Sequence, residues 1–423
     1  MSSVLASPIR YHQRRRLVQA LSIILAVLVP ATGLFRIDPS AGALVVLDRQ
    51  IWFADFFLIS GVWIMVLSAL VMLYSAAGTV FCGWVCPQNI MAEWANYMTH
   101  KLLGKRAEVS LEGDAPIVAA AKNKALNWAF LGVAFLVASL LFGLIPLFYF
   151  YPVRAVWSFM TWRTDPQLAG SLHWIYAVFV LIIFIDIAVI RHFWCRFACV
   201  YRVWQHSFRT RETLHVTYDS SRSADCEKCN YCVTSCFIDI DPRKTAIYDS
   251  CINCGECIDA CNRLHAKKQV PGLLSFEVGE RKEQREARVH FRNNTMSLTS
   301  RGSWMAVISI LGFSLFVWGL WTWEPYHLAS YRAENQPSGA NLDYRIALMN
   351  KRYHPGEVTL TIKGLSPNEY HLSESTLMLA SAGRASAILS ISSQLPRGIH
   401  SFVIEANSPD GWHSSFPIQH FSE

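Results

Sequence analysis

Five long apolar stretches dominate the pattern of hydrophobic and polar positions along the chain. A helix crosses a bilayer core with about 20 consecutive apolar residues. The stretches are long enough to do so, and they predict transmembrane helices at residues 17–35, 56–74, 128–151, 172–190 and 304–323. The first stretch follows three arginines and could be a signal peptide, but no small-residue cleavage site is evident after it. We therefore expect an uncleaved first helix.

Basic residues are unevenly distributed among the segments that separate these stretches. The tail before residue 17 carries four arginines and segment 75–127 carries five basic residues, whereas segments 36–55 and 152–171 carry two each. Cytoplasmic loops of membrane proteins are enriched in Lys and Arg. The alternation therefore predicts that the N-terminus, segment 75–127 and the basic region 191–303 are cytoplasmic, and that the C-terminal hundred residues lie outside.

The pattern changes in the last hundred residues. Val358, Leu360 and Ile362 alternate with polar residues, and Gly- and Pro-containing turn signals separate this stretch from similar ones. Such alternation is typical of half-buried strands. Strands are predicted at residues 344–349, 356–365, 387–392 and 400–406. Together they indicate a small all-β sandwich over residues 324–423.

Composition narrows the class of protein. Apolar residues make up 52% of the chain and charged residues 16%, and there are 15 tryptophans. This balance excludes an ordinary soluble enzyme of 423 residues and indicates an integral membrane protein. The net charge of +7 could suggest nucleic-acid binding, but the basic residues cluster beside the apolar stretches. Orientation in the bilayer explains them, so no nucleic-acid partner is expected.

All 12 cysteines fall into four short runs, two of which have the spacing of bacterial two-cluster ferredoxins. In such domains three cysteines of one run bind one cluster and the fourth binds the other. The first 4Fe–4S cluster is therefore predicted on Cys226, Cys229, Cys232 and Cys261, and the second on Cys251, Cys254, Cys257 and Cys236. A pair of zinc sites is the alternative, because zinc ribbons share the Cys-x2-Cys spacing. Two complete runs favour iron–sulfur chemistry, which needs a reducing compartment.

The other two runs are the pairs Cys82/Cys86 and Cys195/Cys199, each behind an apolar stretch that ends at the predicted cytoplasmic surface. A spacing of four places both sulfurs on one face of a helix. Four thiolates could then converge on one metal, and soft sulfur ligands select Cu(I), zinc or an iron–sulfur centre. The alternatives are unpaired cysteines packed as small apolar residues, or a disulfide within each pair. The duplication favours a shared metal or redox site.

Three further titratable residues lie in or beside the fourth stretch. Asp186 is an acid within an apolar span, which makes it a candidate for proton transfer, although a salt bridge near Arg191 is the simpler alternative. His173 and His192 flank the same stretch. They are candidates for metal or quinone ligands, or they are solvated interfacial residues.

The order of these motifs resembles a known family. The chain reads RYHQRRR before the first stretch, FCGWVCPQ after the second, RHFWCRFACVYR after the fourth, and DIDPRK between the ferredoxin runs. It closely resembles the FixG/CcoG/RdxA-type cytochrome c oxidase accessory proteins over nearly its whole length. Membrane ferredoxins of nitrate and nitrous-oxide respiration share the cysteine spacings, and the C-terminal sandwich is what separates this family from them. Cys199 is followed by Val200 where the family usually has proline.

The resemblance implies a multi-domain protein of the bacterial inner membrane. A cytoplasmic tail (1–16) would precede a region with four spans (17–191). A cytoplasmic ferredoxin-like α+β domain with two 4Fe–4S clusters (192–303) would follow. A fifth span (304–323) would then lead to an immunoglobulin-like periplasmic domain (324–423). It also implies an oxidoreductase that reduces Cu(II) to Cu(I) for assembly of a cbb3-type oxidase. Cys82, Cys86, Cys195 and Cys199 would then handle transient copper, and oxidase subunits or copper chaperones would be partners.

Two other functions fit the same residues. One is a quinol-linked ferredoxin subunit that feeds another respiratory enzyme. The other is a non-enzymatic copper chaperone or assembly scaffold whose clusters are structural. The residues do not identify the cytoplasmic electron donor, and a homodimer is compatible with them.

Overall fold

The computed structural model describes most of the chain in two compact units. The described residues are 10–39, 42–47, 49–109, 111, 115–210, 212–226, 228–244, 251–279, 297–332, 343–392 and 395–422. The first unit comprises residues 1–31 and 61–314, and the second comprises 32–60 and 315–423. Residues 280–296 of the predicted ferredoxin-like domain lie outside the described ranges.

Helices account for most of the first unit. In the described residues the α-helices are α1 (Tyr11–Ala31), α2 (Phe56–Ala77), α3 (Val80–Trp84), α4 (Pro87–Leu103), α5 (Ala125–Phe150), α6 (Val153–Met160), α7 (Leu172–Ile185), α8 (Val200–Ser207), α9 (Tyr231–Thr234), α10 (Glu256–His265) and α11 (Leu298–Trp321). Helix α7 continues into a π-helical turn at Asp186–Ile190, and a second π-helical turn spans Trp194–Ala198. Helices α2 and α11 each run from one unit into the other.

Four helical segments of the described chain are long and apolar enough to cross a membrane. They are Phe56–Ala77, Ala125–Phe150, Leu172–Ile190 and Leu298–Trp321. They correspond to four of the five predicted spans. Helix α1 covers most of the remaining stretch, but its first turns carry Arg14, Arg15 and Arg16, and it is not among the four. The first predicted span, 17–35, therefore stays a prediction.

A small α+β arrangement follows helix α8. Strands β4 (Leu214–Tyr218) and β5 (Leu274–Val278) pair antiparallel, with Leu214 opposite Val278 and Tyr218 opposite Leu274. Helices α9 and α10 pack with this pair around a core that includes Val216 and Ile258. Several of the ferredoxin cysteines, such as Cys232 and Cys257, belong to the same core. The ferredoxin-type segment therefore has the α+β character that the sequence indicates.

The C-terminal part of the second unit consists of two four-stranded antiparallel sheets. Its strands are β6 (Tyr326–Arg332), β7 (Asp343–Asn350), β8 (Gly356–Lys363), β9 (Tyr370–Leu372), β10 (Thr376–Leu379), β11 (Arg384–Ile391), β12 (Gly398–Asn407) and β13 (His413–Ser422). The strand orders are β10-β8-β12-β13 and β6-β7-β11-β9. Ile346 and Leu389 from one sheet share a core with Val358 and Phe402 from the other. The four predicted strands are confirmed within a few residues at each end.

Segment 36–55, between the first two apolar stretches, contains a three-stranded sheet. Its strands are β1 (Arg36–Asp38), β2 (Ala43–Val46) and β3 (Arg49–Trp52), in the order β1-β2-β3. The sheet contacts the C-terminal strands: the Lys351 Nζ lies 2.9 Å from the Asp55 carboxylate, and the Gln50 N–H donates to the Lys351 carbonyl. This early segment therefore belongs to the same unit as the sandwich.

Helix packing in the second unit makes a testable prediction at Gly319 of α11. A Cβ at this position would lie 2.5 Å from the Leu58 backbone nitrogen, whereas a Cβ at Gly302 of the same helix would lie 3.6 Å from the nearest atom. We expect Gly319→Ala to destabilise the protein by about 1–3 kcal/mol through overpacking. The control Gly302→Ala should be neutral. Thermal unfolding of the detergent-solubilised protein measures both, and equal midpoints would contradict the packing argument.

Candidate metal centres

The cysteines predicted to hold the first cluster converge in the structure. Cys226, Cys229, Cys232 and Cys261 line one small cavity in the ferredoxin-type segment. Asn230 adopts a left-handed conformation just before α9, which turns the chain between Cys229 and Cys232. The short spacing thus wraps the run around the cavity. Cys261 comes from α10, as the crossed pairing of a two-cluster ferredoxin requires.

Polar groups surround the first cavity. Arg243, which pairs with Asp241 at 2.9 Å, lines it. The Leu273 N–H donates to the Cys261 Sγ at 3.3 Å. A hydrogen bond from the backbone N–H of Lys228 lowers the pKa of Cys226. N–H donors to sulfur are one of the means by which proteins set cluster potentials, so this cavity suits a polar, accessible cluster.

The second set of cysteines converges on a different, apolar cavity. Cys236, Cys251, Cys254 and Cys257 line it together with side chains such as Phe237 and Ile238. Gly255 turns the run with a φ of +82°. Burial raises the pKa of Cys254 and Cys257, because a bare thiolate is poorly solvated there. Cys254 and Cys257 are thus buried in the second cavity, while Cys229 of the first set is exposed.

The donor sets fit two 4Fe–4S clusters. Each cavity is lined by four cysteines, the ligand number and type that a cubane takes. In the described part of the chain, no three Cys, His, Asp or Glu side chains are grouped so as to hold a single metal ion. Bound clusters would supply one-electron redox chemistry.

The two Cys-x3-Cys pairs also meet. Cys82, Cys86, Cys195 and Cys199 all line one cavity of about 330 Å³. All four are free thiols, so the structure does not contain the disulfides considered as an alternative. The Gln205 side chain lies 3.2 Å from the Cys82 Sγ. The structure therefore brings together the residues that the duplication singled out.

The prediction that each pair lies on one helical face is wrong. Cys82 lies within α3, but Cys86 is the N-cap of α4 and has extended backbone at φ −58° and ψ 121°. Pro87 explains this, because proline disfavours helical backbone in the preceding residue. Cys195 lies in the second π-helical turn, and Cys199 ends it with a ψ of 109°. Each pair therefore spans a helix break.

Burial in the four-thiol cavity disfavours the thiolate form of three of its cysteines. Burial raises the pKa of Cys82 to about 12, and burial also raises the pKa of Cys86 and Cys195. Metal ligands must be thiolates, so metal binding here would release protons.

The four-thiol cavity and the second-cluster cavity share a wall. Cys251 and Ile252 line both of them. The Thr79 hydroxyl donates to the Cys251 carbonyl at 2.7 Å, and the Trp84 indole donates to the Asn253 carbonyl at 2.9 Å. A Cβ at Gly83 would lie 2.4 Å from the Ile252 carbonyl oxygen, so the close approach requires glycine. The segment between Thr79 and Trp84 is thus in direct contact with the loop that carries the predicted second-cluster cysteines.

Arg15 is a buried residue whose role the sequence did not reveal. Its guanidinium is fully buried and lies 2.6 Å from both the Glu93 and the Glu256 carboxylates. Burial acts to raise the pKa of Glu93, but the charge and hydrogen bonds of Arg15 lower it overall. Asp259 accepts hydrogen bonds from the Tyr11 and His12 N–H groups at the start of α1. The arginine run predicted to orient the protein also joins α1, α4 and α10.

The remaining candidates, Asp186, His192 and His173, contact side chains other than the cysteines. The Gln88 amide donates to both Asp186 carboxylate oxygens at 2.8 Å, while Arg191 donates to Asn96 and Thr99 instead of pairing with Asp186. His192 hydrogen-bonds Asn89, and burial lowers the pKa of His192 to about 4, so it is neutral.

His173 stacks between Phe159 and Trp162 at the start of α7, the opposite end from Asp186. Neither His173 nor His192 lines the four-thiol cavity. Gln88, which does line it, links Asp186 to that cavity.

Two family models match the chain. Residues 221–279 match a 4Fe–4S dicluster domain, and residues 58–106 match a 4Fe–4S binding domain. The first match covers the ferredoxin runs. The second contains Cys82 and Cys86.

Curated relatives agree with these matches. Protein RdxA of Cereibacter sphaeroides is 30% identical over 227 residues, which cover 50% of this chain and 46% of the relative. Nitrogen fixation protein FixG of Rhizobium meliloti is 26% identical, with coverage of 54% and 45%, and the ferredoxin-type protein NapH of Escherichia coli is 25% identical, with coverage of 45% and 62%. The chain spans about half the length of RdxA and FixG. Among solved structures, a FixG-related protein from Vibrio parahaemolyticus aligns over 24% of this chain and 99% of its own, at 16% identity and a TM-score of 0.21.

These observations define a membrane-associated 4Fe–4S electron-transfer protein. Within that class, the similarity to RdxA and FixG confirms the resemblance to FixG/RdxA-type membrane ferredoxins seen in the sequence.

The buried ion pair makes a prediction about stability. Glu93→Gln leaves Arg15 with one carboxylate fewer in a site that water does not reach, and breaking a buried pair costs about 3–5 kcal/mol. We expect a clear fall in the thermal unfolding midpoint at pH 7. The control Asp225→Asn removes an exposed ion pair with Arg222, so it should cost less than about 1 kcal/mol.

The effect of Glu93→Gln on the unfolding midpoint should depend on pH. Because the folded-state pKa of Glu93 is lowered, its stabilisation is complete above the pKa of an unfolded glutamate and is lost as the pH falls through the folded value. The midpoint difference between wild type and Glu93→Gln should therefore shrink in acid. A difference that stays constant down to acid unfolding would contradict the assignment.

Proposed function

We propose that this protein carries electrons from the cytoplasmic side through two 4Fe–4S clusters to Cu(II) held at Cys82, Cys86, Cys195 and Cys199. A bound, reduced cluster would supply the single electron that converts Cu(II) to Cu(I), with no bond of the protein broken. The Cu(I) would serve the copper centre of a cbb3-type oxidase, delivered to oxidase subunits or through copper chaperones. Soft thiolates suit Cu(I) once it has formed.

The shared wall carries this proposal. Cys251, a predicted ligand of the second cluster, also lines the four-thiol cavity, so a cluster and a copper ion would be separated by little more than one residue. The first cavity, with its exposed Cys229, is the accessible end of the route. This arrangement supports a route from the first cluster through the second cluster to the four thiols.

The chain's own residues would provide positioning, exclusion of water and proton release. Hydrogen bonds from Thr79 and Trp84 to the second-cluster loop hold the two cavities together. The apolar walls around Phe237 and Ile238 keep water from the second cavity. Gln88 links the four-thiol cavity to Asp186, which offers a place for a proton displaced from a thiol.

The topology proposed from the basic residues is compatible with this chemistry. The N-terminus and the clusters would face the cytoplasm of a bacterium, and the C-terminal sandwich, as an immunoglobulin-like domain, would lie in the periplasm. Helix α1 would be the first of five spans of this inner-membrane protein. A reducing cytoplasm supports thiolate and cluster chemistry.

One observation favours a second function. The region that matches the 4Fe–4S binding family model contains Cys82 and Cys86, and the chain is similar to NapH. A third cluster at the four thiols would make the protein a quinol-linked electron-transfer subunit for another respiratory enzyme.

The Cys82→Ser/Cys86→Ser variant separates these functions. We expect anaerobically purified, photoreduced wild type to reduce Cu(II), followed with a Cu(I)-specific chelator, and the variant to lose at least about tenfold in rate because two soft ligands are gone. The iron content of the wild type and of the variant should stay at about eight atoms per chain, the content of two cubanes. The parallel variant Cys195→Ser/Cys199→Ser should behave alike.

Three other results would count against copper reduction at this site. Wild type with about twelve iron atoms, falling to about eight in the variant, would indicate a third cluster. Unchanged copper reduction would remove these thiols from the mechanism. Clusters that cannot be reduced by photoreduction would instead support a scaffold with structural clusters.

A further inference from the structure

A basic cleft lies beside the first-cluster cavity. It has a volume of about 370 Å³, and its lining includes Lys105, Arg263 and Lys267. Lys105 comes from the segment after α4, Arg263 from α10, and Lys267 from the turn that follows α10. Separate parts of the chain therefore bring three cations to one place.

The cleft is one side chain away from the proposed first cluster. Tyr231 and Leu264 line both the cleft and the first-cluster cavity. Tyr231 is 58% exposed, and Cys229 nearby is exposed as well. An electron arriving at the cleft would have only this thin wall to cross.

The charge of the cleft is uniformly positive. Lys105, Arg263 and Lys267 are exposed, and no Asp or Glu is among the described residues that line the cleft. Lys228, next to Cys229, adds a further exposed cation on this side of the cavity. A surface of one sign steers a partner of the opposite sign and accelerates its association at low salt.

We propose that this cleft docks an acidic one-electron carrier protein, which reduces the first cluster across Tyr231 and Leu264. The inference rests on the proposed first-cluster ligands but not on copper as the acceptor. The donor loses one electron and the cluster gains it, with no bond or proton exchanged. A cubane accepts single electrons, so a hydride donor is not its direct partner. Because the cleft is open and its surroundings are exposed, a protein partner can contact it, whereas a small anion would be better held in an enclosed site.

The test measures the rate of reduction of the full-length detergent-solubilised protein by stopped flow. The probe is a photoreduced acidic [2Fe–2S] ferredoxin, used over a range of ionic strengths. Arg263→Glu/Lys267→Glu and, separately, Lys105→Glu alter the cleft. The matched control Lys124→Glu/Lys268→Glu makes the same charge change outside the lining. Photoreduction with deazaflavin and the cluster EPR signals show that each variant retains reducible clusters.

We expect the wild-type rate to fall as salt rises, because screening weakens steering. At low ionic strength the double variant should be at least about tenfold slower, with a flatter salt dependence, while the control stays within about twofold. Lys105→Glu should lie between them.

Equal rates in wild type and the cleft variants, with intact clusters, would overturn the proposal. So would a wild-type rate that does not depend on salt. Reduction by free FMN hydroquinone is measured in parallel. If the cleft variants slow this reaction but not reduction by the ferredoxin, the cleft binds a small phosphorylated donor, and the proposal is overturned. Loss of reducible clusters in the wild type would instead refute the proposed function.

Discussion

The site depends on one close backbone contact, between Gly83 and the carbonyl of Ile252. No side chain fits there, and the hydrogen bonds of Thr79 and Trp84 on either side keep the two segments together. Because Gly83 directly follows Cys82 and Ile252 directly follows Cys251, the contact places a membrane-proximal thiol and a cluster cysteine on one wall. Without it, the four-thiol cavity and the ferredoxin-type segment would be separate features.

Arg15 also stabilises this contact. The same side chain reaches the Gly83 carbonyl at 3.4 Å, Glu93 in α4 and Glu256 in the cluster-binding run. Burying these charges is costly, and a buried ion pair often contributes little net stability. What it provides here is a single arrangement, because only one relative position of α1, α4 and α10 satisfies all three groups. The short N-terminal arginine run is therefore part of the redox site's support.

Sequence patterns predicted the features that depend on residues close together in the chain. Cysteine spacing indicated which thiols share a cavity, since a short loop can wrap around only one centre, and strand alternation located the sandwich. Long-range contacts were not predictable in this way. Nothing near Arg15 indicates partners 78 and 241 residues away, and nothing in segment 36–55 indicates that it forms a sheet beside Lys351. The helix break at Cys86 could have been predicted from Pro87, whereas no proline marks the break at Cys199.

Burial dominates the electrostatics of the second cluster site. Reduction adds negative charge to a thiolate-bound cubane, so the buried apolar cavity around Cys254 and Cys257 would lower the potential of a cluster there and hinder its reduction by the more exposed first centre. The Arg15 guanidinium lies 5.5 Å from the ring of Phe237 in the cavity wall, but the Glu93 and Glu256 carboxylates lie 2.6 Å from it. Because these two carboxylates offset the charge of Arg15, the ion-pair group brings no net positive charge to the second cavity and leaves the effect of burial in place.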